Sequence, residues 1–167
     1  MWSRAPQVRI AVSSVACPAY DPDVRPEPVV IRRLGPDEVA TVLAAAHLFD
    51  HEPRAEWASA VLRREGHHLL IASVDGTPVG FATGIEALHP DKGVEILLYE
   101  LGVDEAHRRR GIGRALTSRM LALAEEIGGY GMWVPVEPGN DPAVATYRSA
   151  GSGEPEEAII LTWSLEG

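Results

Sequence analysis

The chain has 167 residues, the length of one domain with room for a single core. Hydrophobic residues make up 46% and charged residues 23%; this fits a soluble globular protein better than a disordered one, and no stretch approaches the roughly 18 apolar residues of a membrane helix. Acidic residues outnumber basic ones by 24 to 15, for a formal charge of -9, which disfavours a nucleic-acid-coating surface and favours cationic partners.

Residues 1–28 carry Pro6, Pro18, Pro22, Pro26 and Pro28 and read as an extended or mobile leader, with residues 29–167 as a single folded domain. The single cysteine, Cys17, falls in that leader; it allows no internal disulfide and fits a reducing, cytoplasmic setting. Ser14-Val15-Ala16-Cys17 matches a lipoprotein cleavage site only superficially, because Arg9 interrupts the short apolar stretch before it. Val29 to Ile31 predicts a short strand. Gly35-Pro36-Asp37-Glu38 then opens a helix running to Phe49, and a second helix is expected from Arg54 to Arg64. Leu69 to Val74, the turn Asp75-Gly76 and Val79 to Ile85 form a hairpin, and Val94 to Val103 makes a third long strand. A helix follows from about Gly111 to Ile127, with Ile112, Leu116, Met120, Leu123 and Ile127 as its apolar stripe. Tyr130 to Val136 reads as a strand, Asn140-Asp141-Pro142 caps a helix to about Ala150, and Ala158 to Leu165 reads as a last strand. The order β-α-α-β-β-β-α-β-α-β implies an α/β fold with helices packed on a mixed sheet.

The segment with the most chemistry in it is His107-Arg108-Arg109-Arg110-Gly111-Ile112-Gly113-Arg114-Ala115, between a strand and an amphipathic helix. Glycines let backbone approach a ligand, free N–H groups gather at a helix start, and the helix dipole there favours an anion. Arginines add charge-assisted hydrogen bonds to phosphate oxygens, so a pyrophosphate suits the segment; a solvated basic turn is the bland alternative. A Rossmann fingerprint fails because Leu116 stands where a third glycine is needed, and a P-loop fails for want of Gly-Lys-Ser/Thr.

The segment is similar to the GNAT acetyltransferase signature Gln/Arg-x-x-Gly-x-Gly/Ala, with Arg108, Gly111 and Gly113 at its defining positions. Asn140 to Tyr147 resembles the same family's Asn-x-x-Ala-x-x-x-Tyr helix. The resemblance implies a mixed, mostly antiparallel central sheet flanked by helices, acetyl-coenzyme A as cosubstrate, and transfer of its acetyl group to an amine. It further implies that Leu101, Gly102 and Val103 bind the pantetheine arm, that Arg108 to Ala115 (Arg108, Arg109, Arg110, Gly111, Ile112, Gly113, Arg114 and Ala115) hold the pyrophosphate with Asn140 nearby, and that Tyr147 protonates the departing thiolate. Gly151-Ser152 departs from the family's usual glycine and phenylalanine.

Arg33 to Val39 with Leu48-Phe49, Leu98 to Val103, and Gly139 to Ala145 look like the type I aminoglycoside 3-N-acetyltransferases, with Glu100 and Asn140 each in place of an aspartate. That likeness implies a polycationic acceptor acetylated at its 3-amino group and antibiotic resistance as the outcome, with Tyr99 and Glu100 facing the substrate. Asp50, Glu52, Glu86, Glu137 and Asp141 are further candidates for an acidic cleft, the alternative for each being an ordinary solvated carboxylate.

Glu100 is the candidate general base. Simple alternation places it on one face with Val94, Ile96 and Leu98, where desolvation would raise its pKa; a strand bulge would shift that alternation and promote Glu95 instead. No Ser-His or Cys-His pair suggests an acyl-enzyme, so direct transfer in a ternary complex is expected. The histidines lack metal-ligand spacing, no metal is expected, and His67-His68 reads as loop or surface. A homodimer stays open, and the rival readings are acetylation of a polyamine or protein N-terminus and a non-catalytic coenzyme-binding module.

Overall fold

The computed structural model describes residues 28–163 and 165; the expected leader, apart from Pro28, and Cys17 with it lie outside the described residues. Strands β1 (Val30–Arg33), β2 (His67–Val74), β3 (Thr77–His89), β4 (Gly93–Val103) and β5 (Met132–Trp133) form one sheet in sequence order. The first three pairings are antiparallel and β4 with β5 is parallel, which is the mixed, mostly antiparallel sheet expected. At the β2–β3 turn Asp75 and Gly76 both take positive φ, 48° and 79°. That is the turn geometry whose twist matches a two-residue hairpin, and Asp-Gly supplies it cheaply.

Helices α1 (Val39–Ala44) and α2 (Ala55–Arg63) cover one face of the sheet; α3 (Ile112–Glu126) and α4 (Asp141–Ser149) cover the other. The expected α3 stripe packs as read: Ile112, Leu116, Met120 and Leu123 are buried against Leu70, Ala82, Ile96, Leu98 and Leu101. Gly84 on β3 lets that helix sit close to the sheet, since a Cβ there would lie 2.6 Å from the Met120 sulfur. The opposite cluster is smaller, with Leu34, Val42, Ala45 and Ala58 over Leu69, Ile71 and Phe81.

Several elements differ from expectation. The helix expected to reach Phe49 breaks at Ala45 and ends in a 3-10 turn, Ala46–Leu48. Residues 130–136 contribute only two paired residues, Ile96 with Met132 and Leu97 with Trp133, after which β4 and β5 no longer pair. Ala158 to Leu165 forms no strand: its described residues leave the body, with Ile159, Ile160, Leu161, Trp163 and Leu165 all exposed. His67 and His68 are not loop but the start of β2, and His68 is 2% exposed with its Nε2 2.7 Å from Glu86 Oε1. Glu86 is thereby held by His68, which alternates with Leu70 and Ala72 on the α3 side, so it does not join an acidic cleft on the other face.

Candidate active site

The pairing of β3 with β4 slips by one residue. Gly84 pairs with Leu98 and Thr83 with Glu100, so Tyr99 is the unpaired extra residue of a bulge, 42% exposed. One extra residue reverses the side-chain alternation beyond it. Ile96 and Leu98 before the bulge and Leu101 after it all bury into the α3 cluster, while Glu100 turns to the α1–α2 face. The expectation that Glu100 shares a face with Val94, Ile96 and Leu98 is therefore corrected: the bulge moves it to the opposite face. Its raised pKa survives the correction, on the other face and with an added cause. Burial pushes the carboxyl up, and the negative charge of Asp50, brought near by the loop after the Leu48 turn, pushes it further.

Thr83 stands directly across from Glu100, and its hydroxyl is buried with no hydrogen-bond partner among the described residues. Sequence reasoning missed this residue, because its juxtaposition depends on a register slip in the neighbouring strand; no local pattern around Thr83 announces it. Gly102, two residues beyond Glu100, is required by packing: a Cβ there would lie 2.5 Å from the Phe81 ring and 3.4 Å from the Leu48 carbonyl.

Beyond Leu97 the outer edge of β4 pairs with no strand among the described residues, so the backbone of Leu98 to Val103 borders a notch. At the end of the notch the chain enters the basic loop. Arg108 Nε donates to the Val103 carbonyl at 3.1 Å, which ties the loop to β4, while its Nη1 is buried without a hydrogen-bond partner among the described residues. Arg109, at φ 62°, and Gly111, at φ 81°, both take left-handed backbone. Gly111 is the N-cap of α3 and brings no capping side chain, so the first helical N–H groups stay available to a ligand. Arg109, Arg110 and Arg114 are exposed around them. Gly113 serves packing as well, since a Cβ there would come 3.0 Å from Thr146 Cγ2 on α4.

Tyr147 projects from α4 into the larger core. It is 3% exposed, its hydroxyl has no hydrogen-bond partner among the described residues, and burial pushes its pKa up to about 12. Asn140 caps α4, its side-chain oxygen accepting the Ala143 N–H at 3.2 Å. Glu137 is exposed on the connection from β5 to α4, Asp141 is exposed at the first position of α4, and Glu52 is exposed in the loop with Asp50. Of the acidic candidates, Asp50 is the one shown to act on Glu100. Among the described residues no group of three His, Cys, Asp or Glu is placed to hold a metal ion, and no helix is long and apolar enough to cross a membrane.

Residues 37–151 match the Acetyltransferase (GNAT) family. The chain belongs to the GNAT acetyltransferases. The N-alpha-acetyltransferase RimI of Mycobacterium tuberculosis is 38% identical over 99 residues, covering 57% of this chain and 60% of that protein. Thus the chain spans about 60% of the length of that curated relative. Among solved structures, an aminoglycoside acetyltransferase from an uncultured soil metagenomic sample, meta-AAC0020, superposes with a TM-score of 0.76 at 21% identity, covering 83% of this chain and 97% of that one. A second soil aminoglycoside acetyltransferase, HMB0005, gives a TM-score of 0.70 at 28% identity over 82% of this chain and 99% of that one.

GNAT membership implies acetyl-coenzyme A, a long anion ending in a thioester, and the residues present fit it. The notch offers unpaired strand backbone, the α3 N-terminus offers N–H groups amid arginines, and two buried polar atoms, Arg108 Nη1 and Tyr147 Oη, lack partners.

Proposed function

We propose that the chain transfers an acetyl group from acetyl-coenzyme A to an amine of a polycationic small molecule of the aminoglycoside class, at its 3-amino group, by direct attack in a ternary complex. The observation that carries this reading is the bulge at Tyr99, which sets Glu100, with its raised pKa, on the α1–α2 face beside Asp50 and opposite the unpartnered Thr83 hydroxyl. A carboxylate with a raised pKa takes a proton from an ammonium more readily than an ordinary one.

Leu101, Gly102 and Val103 would hold the pantetheine arm through backbone groups, and Arg108 to Ala115, with Asn140 at the adjoining α4 cap, the pyrophosphate end. Bound there, acetyl-coenzyme A supplies an activated acyl group and a thiol leaving group. Glu100 accepts the proton of the incoming ammonium, with the Thr83 hydroxyl orienting the nitrogen, and leaves a neutral amine whose lone pair can form the new C–N bond. Tyr147, protonated throughout the working range because its pKa stands at about 12, donates its proton to the departing sulfur. Asp50, Glu52, Tyr99, Glu137 and Asp141 are assigned to the remaining ammonium and hydroxyl groups of the substrate; the formal charge of -9 supports a cationic acceptor.

The aminoglycoside class is supported by HMB0005 at 28% identity over nearly its whole length, and the 3-amino position by the motif around Leu98 to Val103 and Gly139 to Ala145 alone. The 38% identity to RimI favours a second reading, acetylation of a protein N-terminus. Thiol release measured across 3-amino aminoglycosides, polyamines and peptides separates them. The expected result is release with aminoglycosides, initial-rate patterns of a ternary complex and a mass increase on the 3-amino group; release with peptides alone would transfer the assignment to the second reading.

A further inference from the structure

The register of β3 on β4 puts four residues of the α1–α2 face side by side: Phe81 pairs with Gly102 and Thr83 with Glu100. The Phe81 ring leans over Gly102, where a Cβ would meet it at 2.5 Å, and the Leu48 carbonyl reaches the same spot at 3.4 Å. The chain after α1 therefore passes over β4 next to the pair that contains Glu100. A second ring seats it there. Phe49 lies on Phe81 with centroids 4.4 Å apart and planes tilted by 46°, within the range where aromatic pairs attract beyond the area they bury. Phe81 is 1% exposed and belongs to the smaller core cluster, whereas Phe49 packs against that cluster from its margin. The 3-10 turn that delivers Phe49 is fixed as well: His47 Nε2 lies 3.1 Å from the Pro78 carbonyl, and Leu48 N donates to the Ala45 carbonyl. Beyond Phe49 the anchoring stops. No residue from 50 to 53 makes a hydrogen bond among the described residues, and the next fixed point is Arg54, whose guanidinium lies 4.1 Å over the Trp57 ring.

We propose that Phe49 is a positioning residue for the acceptor side of the site: its ring, seated on Phe81, holds Asp50 beside Glu100, so that the two carboxylates act as one unit. Asp50 follows Phe49 directly in a stretch with no hydrogen bond of its own among the described residues, so its place is set by where that ring sits. The charged and titratable groups of this stretch are Asp50, His51, Glu52 and Arg54, and it is the charge of Asp50 that acts on Glu100. A carboxylate swinging freely in an exposed loop would spend its time in water at varying distance, where its field is screened. Held in one place, it opposes ionisation of Glu100 steadily. What the two carboxylates do for an amine rests on the function proposed above; the link from Phe49 through Asp50 to Glu100 does not.

The test is an NMR titration of the Glu100 side-chain carboxyl in the full chain without substrate. Phe49→Ala should lower the Glu100 pKa by as much as Asp50→Asn does, and the double variant should go no lower than either, because both changes remove the same charge from the same place. Phe49→Tyr keeps the ring face and should leave the titration at its wild-type position. Val42→Ala opens the same cluster at a residue 4% exposed; it should lower the melting temperature and leave Glu100 unmoved, which separates lost packing from lost position. Should Phe49→Ala fold poorly, Phe49→Leu carries the measurement in the same direction, since it keeps apolar bulk and loses the ring stack. In thiol-release assays Phe49→Ala should raise the KM for a cationic amine about 2–5-fold, the worth of one exposed charge contact, with the KM for acetyl-coenzyme A unchanged. A Glu100 titration unmoved in both Phe49→Ala and Phe49→Leu would overturn the proposal. So would a further drop in the double variant, which would mean that the ring excludes water from Glu100 instead of placing Asp50. A titration that shifts as expected in a protein that acetylates no cationic amine would uphold the positioning and overturn the proposed function.

Discussion

The two faces of the sheet are built to different standards. On the α3–α4 face a continuous apolar cluster runs from Leu70 to Tyr147, and β4 contributes Ile96, Leu98 and Leu101 to it across the bulge. On the α1–α2 face the cluster is smaller, its helix breaks at Ala45, and at its β4 end it presents a carboxylate, an unpartnered hydroxyl and Asp50. The difference teaches a division of labour. Under the function proposed above, the well-packed face would hold the coenzyme in one orientation with Tyr147 at its thiol, while the looser, acidic face would receive the amine at Glu100. β4 serves both because a single extra residue turns it over between Leu98 and Glu100.

Removing the carboxylate breaks the comparison most sharply. Glu100→Gln should cut turnover by about 10²–10⁴-fold, the range general-base catalysis supplies, without loss of coenzyme affinity in calorimetry. The same substitution should stabilise the fold at neutral pH. A carboxyl whose folded pKa is raised contributes stability that is fully present below its ordinary value of 4.5 and is lost as pH rises through the folded value. The melting-temperature gain of the glutamine variant should therefore be present at pH 7 and fade below pH 4.5; a variant less stable than wild type at neutral pH would contradict the burial of Glu100.

Tyr147→Phe probes the other face. It should slow turnover by about 10–100-fold, the lower part of what acid–base catalysis contributes, leave coenzyme affinity unchanged and leave the melting temperature no lower, because the hydroxyl it removes is buried without a partner. A large loss of stability would mean the hydroxyl has a structural bond instead. The smallest expected effect is that of Asp50→Asn. Taking away this negative charge lowers the pKa of Glu100, so the acid limb of the pH–rate profile should move to lower pH, with a KM for cationic amines that rises more than that for acetyl-coenzyme A. An unmoved acid limb would separate Asp50 from the base.

Where local pattern decided structure, it could be read from the chain. Asp75-Gly76 demanded a hairpin, the Ile112 to Leu123 stripe demanded a helix lying on a sheet, and Gly111 with its arginines marked a helix start suited to an anion. The site residues on β4 were harder. Glu100 was identified by type and position, but its face was read from simple alternation, and bulges such as the one at Tyr99 carry no signature in the strand that holds them. Thr83 could not be found at all without that register. Ala158 to Leu165 and Tyr130 to Val136 were read as strands from composition, which reports an appetite for pairing and not whether a partner strand is within reach.

The bulge also shapes what mutation can do to this protein. Tyr99 is 42% exposed, so replacing its side chain leaves the packing of the sheet intact. Deleting it would only remove the bulge: Glu100 would follow Leu98 directly, still across from Thr83 and on the α1–α2 face, and Leu101 would stay on the α3 side. Position 99 should thus accept single-residue deletion, whereas deleting Leu101 or Gly102 forces either Glu100 or the residues after it onto the opposite face, a contrast that a mutational scan including single-residue deletions would display directly.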